Sequence, residues 1–336
     1  MEKIAFISGE AFYYWSSIVL ALSVVTAIVL FASVYIKKGG RIPALCLAIP
    51  LCLVSSLVLG RLVHWYCRTD AYESFWVAMT HYASGGYALM GAFAGCILTA
   101  LVLWALHISD SFTQMLDSLA IGGGAGIAVG RLASLFNASD RGPAVPETLG
   151  LPFAYPVTNA VSGVVEYRLA TFMLQGIFTA ILVVGLLLYM AGTRKRKPLK
   201  NGDIFLLFLL FYGTSQIVFD STRYDSLFMR SNGFISIVQI LGAVGLVLPI
   251  VLFSIRMVKS TGMKGGYVAL WVLMLAAIGG AGYMEYHVQR HGDQALFAYT
   301  IMTACLVVAV ALSLVIWCIC RKGKKQKYQP KFLKMG

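Results

Sequence analysis

Charge is what this sequence has least of. Only 12% of its 336 residues are Asp, Glu, Lys or Arg, and just 14 are acidic, whereas an ordinary soluble domain carries about 25% charged residues. So few charges cannot cover a globular surface with polar groups. They also exclude a disordered chain, which stays unfolded because charge outweighs apolar surface. Equally missing are segments of about ten residues in which apolar and polar side chains alternate between turns, the mark of an outer-membrane barrel. What is abundant is apolar: 59% of residues are hydrophobic and the mean hydropathy is +0.79. An all-α, polytopic helical membrane protein is expected.

Signals for metal, nucleotide and nucleic acid are also lacking. The seven cysteines, Cys46, Cys52, Cys67, Cys96, Cys305, Cys318 and Cys320, contain no CxxC spacing. Most fall in apolar runs, where a thiol is a small packing group, so no disulfide framework is expected. His107, His287 and His291 share no metal-ligand spacing, and His287 with His291 lacks the glutamate of a zincin motif. There is no P-loop and no dinucleotide fingerprint, so neither metal nor cofactor is expected. A formal charge of +13 suggests a polyanion partner, yet the positive residues gather in short segments beside apolar runs. That pattern sets membrane orientation and implies no nucleic-acid partner.

A hydrocarbon core about 30 Å thick takes roughly 20 apolar residues in a helix. Runs of that order without charge cover Ala11 to Ile36, Ile42 to Gly60, Ser74 to Ser109, Leu169 to Thr193, Ser231 to Ile255, Gly265 to Met284 and Gln294 to Cys320. The first is too long for a signal-peptide core and reads as a true span. Two further runs carry charge: Met115 to Phe136 holds Asp117 and Arg131, and Ile204 to Tyr224 holds Asp220 and Arg223. Together they predict about nine transmembrane helices.

Alternate loops are basic, with Lys37, Lys38 and Arg41, then Arg194 to Lys200, then Arg256, Lys259 and Lys264, then the tail 321–336. Opposite loops are mixed in sign, with Arg68, Asp70 and Glu73, or Arg141, Glu147 and Glu166. Basic loops stay cytoplasmic, which puts the N-terminus outside and the C-terminus inside. The loop around His107 to Phe112 holds no Lys or Arg and is assigned by parity. The long outer segment 137–167, with Pro143, Pro146, Pro152 and Pro156, reads as a short extracytoplasmic cap. The basic tail anchors to anionic lipid head groups.

Ionisable residues at bilayer depth are the functional candidates, because each costs about 2.5 to 3.5 kcal/mol to insert. Asp220 and Arg223, spaced i, i+3, share a helix face and can pair. Arg61 and Arg131 sit near span ends, where a long side chain reaches the head groups. Gly122, Gly126 and Gly130 recur every four residues and leave one bare helix face leading to Arg131, and Gly91 and Gly95, after Gly85 and Gly86, form a second such ladder. Tight helices around an arginine describe a site for an anionic head group.

These residues resemble a known family. The run Asp117-Ser118-Leu119-Ala120, the glycines to Gly130, then Arg131, Leu132, Phe136 and Asn137 is similar to the signature helix of bacterial prolipoprotein diacylglyceryl transferases. In order, Leu59-Gly60-Arg61-Leu62 with Tyr66, Gly85-Gly86 with Gly91 and Gly95, and Tyr212-Gly213 with Asp220, Arg223 and Asp225 resemble three further family motifs. The resemblance covers roughly residues 10 to 258. It implies a seven-helix transferase-like core at 10–258, including the cap at 137–167. Residues 265–320 are then an added two-helix membrane hairpin, followed by the basic cytoplasmic tail 321–336.

The resemblance further implies a multi-pass protein of the bacterial cytoplasmic (inner) membrane with no cofactor. Its partners would be phosphatidylglycerol, an anionic phospholipid, and the lipobox peptide of a preprolipoprotein. The diacylglyceryl group moves to the lipobox cysteine and glycerol phosphate is released. By position Arg131 and Arg223 match the family's two essential arginines and would grip the phosphate, since a guanidinium stays charged and presents a fork of donors. Asp220 would orient Arg223, and Asn137, Arg61, Gly85, Gly86 and Gly130 would line the substrate.

The chain departs from the pattern at several points. Met90 stands where the family carries a histidine proposed as base. Ser134 replaces the signature's first asparagine, Ala138-Ser139 replaces a Gly-Glu with Asp140 one place late, Gln216 replaces an arginine, and Ser16 a tyrosine. His81 is the candidate substitute base, ahead of His64. Two functions follow: a diacylglyceryl transferase-like enzyme, or a catalytically inactive anionic-lipid-binding or scaffold protein that kept the arginines. Transport is disfavoured by the lack of an inverted repeat.

Overall fold

The computed structural model describes residues 4–8, 11–81, 85–137, 139–146, 153–158, 163–193, 199–223, 225–229, 232–291 and 295–327. Glu147, Pro152, Tyr224, Ser231, Asp293, Gln294, the basic residues 194–197 and the tail beyond 327 lie outside these. The chain opens with a strand pair, β1 (Ile4–Ser8) and β2 (Ala11–Tyr14), and enters the first helix, α1 (Trp15–Lys37). Then come α2 (Ile42–Cys67), a short α3 (Phe75–Thr80), α4 (Leu89–Ala105) and α5 (Phe112–Gly130), which tightens into a 3₁₀ turn at Arg131–Leu135. The antiparallel hairpin β3 (Ala154–Thr158) with β4 (Val165–Leu169) leads to α6 (Thr171–Thr193) and α7 (Asp203–Ser221). A third hairpin, β5 (Phe228–Met229) with β6 (Asn232–Ser236), precedes α8 (Ile237–Thr261), α9 (Gly265–His291) and α10 (Ala295–Lys327).

Among the described residues eight helices are long and apolar enough to cross a membrane, and Leu89–Ala105 is a ninth, shorter apolar helix. The fold is a polytopic all-α membrane protein whose few strands form two-stranded hairpins. One expected span differs. The run Ser74 to Ser109 is not one helix: Ser74 caps α3 by accepting from the Val77 N–H, and the chain then turns through Gly85 (φ 68°) and Gly86 (φ 83°) before α4 begins. Hydropathy alone cannot register a left-handed turn that only glycine adopts without strain. The first run also opens as strand at Ala11–Tyr14 and becomes helix at Trp15.

The chain divides into two compact units, residues 1–208 with 219–241, and 209–218 with 242–336. In the first, α1 packs along α5 and α2 along α4. The expected bare faces account for both pairings: a Cβ at Gly122 or Gly126 would meet Ala27 and its neighbours on α1, and one at Gly91 or Gly95 would strike the α2 backbone at Leu59 and Ser55. Contacts such as Trp15 with Phe136 and Ser55 with Thr99 show these pairs to be antiparallel. The C-terminal ends of α2, α5 and α7 therefore lie at one end of this unit, with the hairpins. At the other end Asp117 is fully buried, pairs with Lys38 at 2.6 Å and accepts the Gly202 and Phe205 N–H groups at 2.9 and 2.8 Å. It thereby caps α7 from another helix. In the second unit α9 packs on α10, Gly213 meets Gly242 and Gly245 backbone to backbone, and Trp271 donates to Ser254 at 3.0 Å.

Candidate functional site

Where α5 ends, Gly130 lies against Ser23 of α1, and Arg131 caps the helix and opens the 3₁₀ turn. Arg223 stands just past the end of α7, its N–H accepted by the Asp220 carbonyl. The two guanidinium groups converge on a single oxygen. Asp140 Oδ1 accepts from Arg131 Nη1 at 2.8 Å and from Arg223 Nη2 at 2.6 Å. Its other oxygen accepts from the Ser134 hydroxyl at 3.0 Å. Arg131 and Arg223 are only 11% and 13% exposed and Asp140 17%, so the pairing is screened far less than one in open water.

The backbone of Asp140 is fixed as well. Its N–H donates to Asp225 Oδ2 at 2.8 Å and its carbonyl accepts from the Phe172 N–H at 3.1 Å. The residue sits at φ 58°, a left-handed conformation that aspartate tolerates better than most residues. Burial by itself would push the Asp140 carboxyl up, but Arg131 and Arg223 beside it, helped by Ser134, hold it down to about 2. It is ionised at any physiological pH and is a poor proton acceptor.

Asp220 and Arg223 form the expected i, i+3 pair, but at 3.9 Å it is the longest in the group. Asp225 is closer, accepting from Arg223 Nε at 3.0 Å and Nη2 at 2.9 Å. Asp220, 1% exposed, turns its other oxygen to the Ser236 hydroxyl on β6, and Ser236 is tied to Gln239, which reaches back to Ser221 on α7. Asn137 accepts from the Ser139 N–H and hydroxyl, and its carbonyl, with that of Ser134, accepts from Arg141. Arg141 stacks over Tyr155 and Phe172, which secures the segment to β3 and α6.

Arg61, Gly85, Gly86 and His81 form a second group at the same end. The fully buried Arg61 donates from Nε, Nη1 and Nη2 to the carbonyls of Ala78, Gly86 and His81 at 2.5, 3.0 and 2.8 Å, and lies over the Tyr72 ring. It straps the glycine turn between α3 and α4 to α2. The His81 side chain is exposed. His64 bonds through Nδ1 to the Tyr72 hydroxyl at 2.7 Å and borders Gly86. Met90 is buried.

Asp140, an acid one place out of the family register, joins both arginines, and Ser236 and Gln239 support Asp220 from β6 and α8. An aspartate just after Asn137 was a visible signal. The Ser236 bond to Asp220 depends on a hairpin that no apolar pattern announces. Among the described residues no group of His, Cys, Asp and Glu is arranged to hold a metal ion.

The fold and the cluster define a class: multi-pass helical membrane proteins with two arginines paired to one aspartate at one end of the first unit. Within that class the chain belongs to the prolipoprotein diacylglyceryl transferase family, whose profile matches residues 3–255. Similar proteins named phosphatidylglycerol–prolipoprotein diacylglyceryl transferase include that of Streptococcus pyogenes serotype M3, 28% identical over 68% of this chain and 85% of the relative. Those of Oceanobacillus iheyensis and Halalkalibacterium halodurans are each 25% identical over 72% of this chain, and 85% and 84% of the relatives.

Proposed function

We propose that this chain acts in the bacterial inner membrane as a transferase that moves the diacylglyceryl group of phosphatidylglycerol to the cysteine thiol of a lipoprotein precursor. The observation that carries this reading is the convergence of Arg131 and Arg223 on one oxygen position. In the reaction the glycerol carbon–oxygen bond to phosphate breaks, a carbon–sulfur bond forms, and negative charge grows on the departing phosphate. Two fixed guanidinium groups stabilise that charge without reorganising. Asp225 and Asp220 orient Arg223, and Asn137 would hydrogen-bond the substrate. Gly130 lets α5 approach α1, while Arg61, Gly85 and Gly86 would line the substrate.

The thiol proton needs an acceptor, and His81, with His64 behind it, is the candidate. A thiol of pKa near 8.5 is already a few per cent thiolate at neutral pH, so the arginines alone support slow transfer. A base adds about 10²- to 10⁴-fold. Residues 10–258, with the cap at 137–167, are assigned to this transferase core and 265–320 to an added hairpin, in keeping with a family match that ends at residue 255.

The test is transfer from labelled phosphatidylglycerol to a lipobox peptide, alongside complementation of a transferase-deficient bacterium. Arg131→Ala and Arg223→Ala should each cut transfer by about 10²-fold or more and weaken lipid binding by about 1.5 to 3 kcal/mol. Loss in His81→Ala, or in His64→Ala instead, identifies the base. Met90, which cannot take a proton, favours the second reading, an inactive anionic-lipid-binding or scaffold protein. Binding without transfer in any variant, Met90→His included, would establish it.

A further inference from the structure

The Asp140 carboxylate lies where a phosphate oxygen would have to go. Any phosphate ester that engages Arg131 and Arg223 together must compete for the point that Asp140 Oδ1 now holds at 2.8 and 2.6 Å. Resting on the phosphate-site reading above, we infer that Asp140 is an internal competitor that sets the affinity of the arginine pair for phosphate esters and expels the phosphate product.

Three features support this. The Asp140 backbone is tethered on both sides, by its N–H on Asp225 and its carbonyl to Phe172. Displacement therefore requires only rotation of the side chain, and the carboxylate stays close by at high effective concentration. The side chain is partly open, at 17%, so a ligand can reach it. The exchange is also nearly balanced for a phosphodiester: one monoanion replaces another between the same two cations. Glycerol phosphate, the released monoester, carries more charge near neutral pH and would bind tightly enough to block turnover without such a rival. The carboxylate is ionised across that range, so the competitor is always present.

The experiment measures binding to the full-length protein in phosphate-free buffer. One arm uses free glycerol phosphate in detergent, and the other uses nanodiscs of phosphatidylglycerol in phosphatidylcholine against phosphatidylcholine alone. Asp140→Asn keeps the shape and removes the charge, and should bind glycerol phosphate at least tenfold more tightly, with a smaller gain for the lipid. In transfer assays it should show a normal first turnover, a lowered KM, slower steady-state turnover and stronger inhibition by glycerol phosphate. Asp140→Glu keeps the charge and should bind glycerol phosphate less tightly than Asp140→Asn. Ser134→Ala, which frees Oδ2 without touching the arginines, should tighten binding a few-fold and serves if Asp140→Asn does not fold. Weaker or unchanged binding in the folded variants, or a slowed first turnover, would make Asp140 a positioning residue and overturn the inference. If wild type and variants all fail to bind phosphate esters, the phosphate-site reading fails with it; if wild type binds and the variants gain nothing, only the competitor fails.

Discussion

Two carboxylates show how differently one residue type is used in this chain. Asp117 faces Lys38 and the open N-terminus of α7, with every bond directed at structure. Asp140 faces the guanidinium groups of Arg131 and Arg223. A charge inside an apolar run marked Asp117 as important, but its partners lie 85 and 88 residues away, beyond any local pattern. The same is true of Asp140, whose importance depends on α7 and α5 ending side by side. Its electrostatics have a thermodynamic consequence. With a folded pKa of about 2 below an unfolded value near 3.9, the ionised group stabilises the fold by about 2 to 3 kcal/mol. That contribution is complete above about pH 5 and is lost as pH falls through the folded value. Thermal midpoints of wild type and Asp140→Asn in phosphate-free detergent should thus differ at pH 6 and converge toward pH 2.5. A gap that ignores pH would remove the ion pairs from the stability of this end.

At the scale of elements, the glycine ladders were legible because a four-residue repeat puts bare backbone on one helix face. The structure supplies the partner helices, α1 for α5 and α2 for α4. Not every glycine is of this kind. A Cβ at Gly95 would collide with the Ser55 backbone, while one at Gly185 on α6 meets nothing within 4 Å. Gly95→Ala is expected to cost about 1 to 3 kcal/mol, as overpacking does, whereas Gly185→Ala should be neutral or stabilising by up to about 1 kcal/mol through helix propensity. Thermal unfolding of the two purified variants checks the contrast, and equal effects would mean that α2 and α4 are not held at backbone contact. Apolar runs located the long spans to within a few residues. They failed at Ser74 to Ser109, where a capped short helix and two left-handed glycines interrupt an unbroken apolar composition. They also gave no sign of the hairpins, because β1 and β2 are as apolar as the helix they lead into.

For the whole molecule, the first unit collects the ends of α2, α5 and α7, the hairpins and both side-chain groups at one end, and the Lys38–Asp117 pair at the other. Loop charge then predicts which end faces out: the one bearing Arg131, Asp140 and Arg223. Reporter fusions at Lys197 and in the tail, both outside the described residues, should be cytoplasmic, and a fusion near Glu147 external. An external Lys197 would reverse the molecule and place the arginine pair on the wrong side for a secreted acceptor. The short α4 has a consequence of its own. Its 17 residues span about 25 Å at 1.5 Å per residue, less than a hydrocarbon core of about 30 Å. It nonetheless exposes Leu98, Leu101 and Trp104. A helix too short for its membrane draws the leaflet inward, so a locally thinned bilayer is expected beside α4. Acyl-chain length, a property of the surrounding membrane rather than of any residue, thereby sets how far the bilayer must deform beside α4.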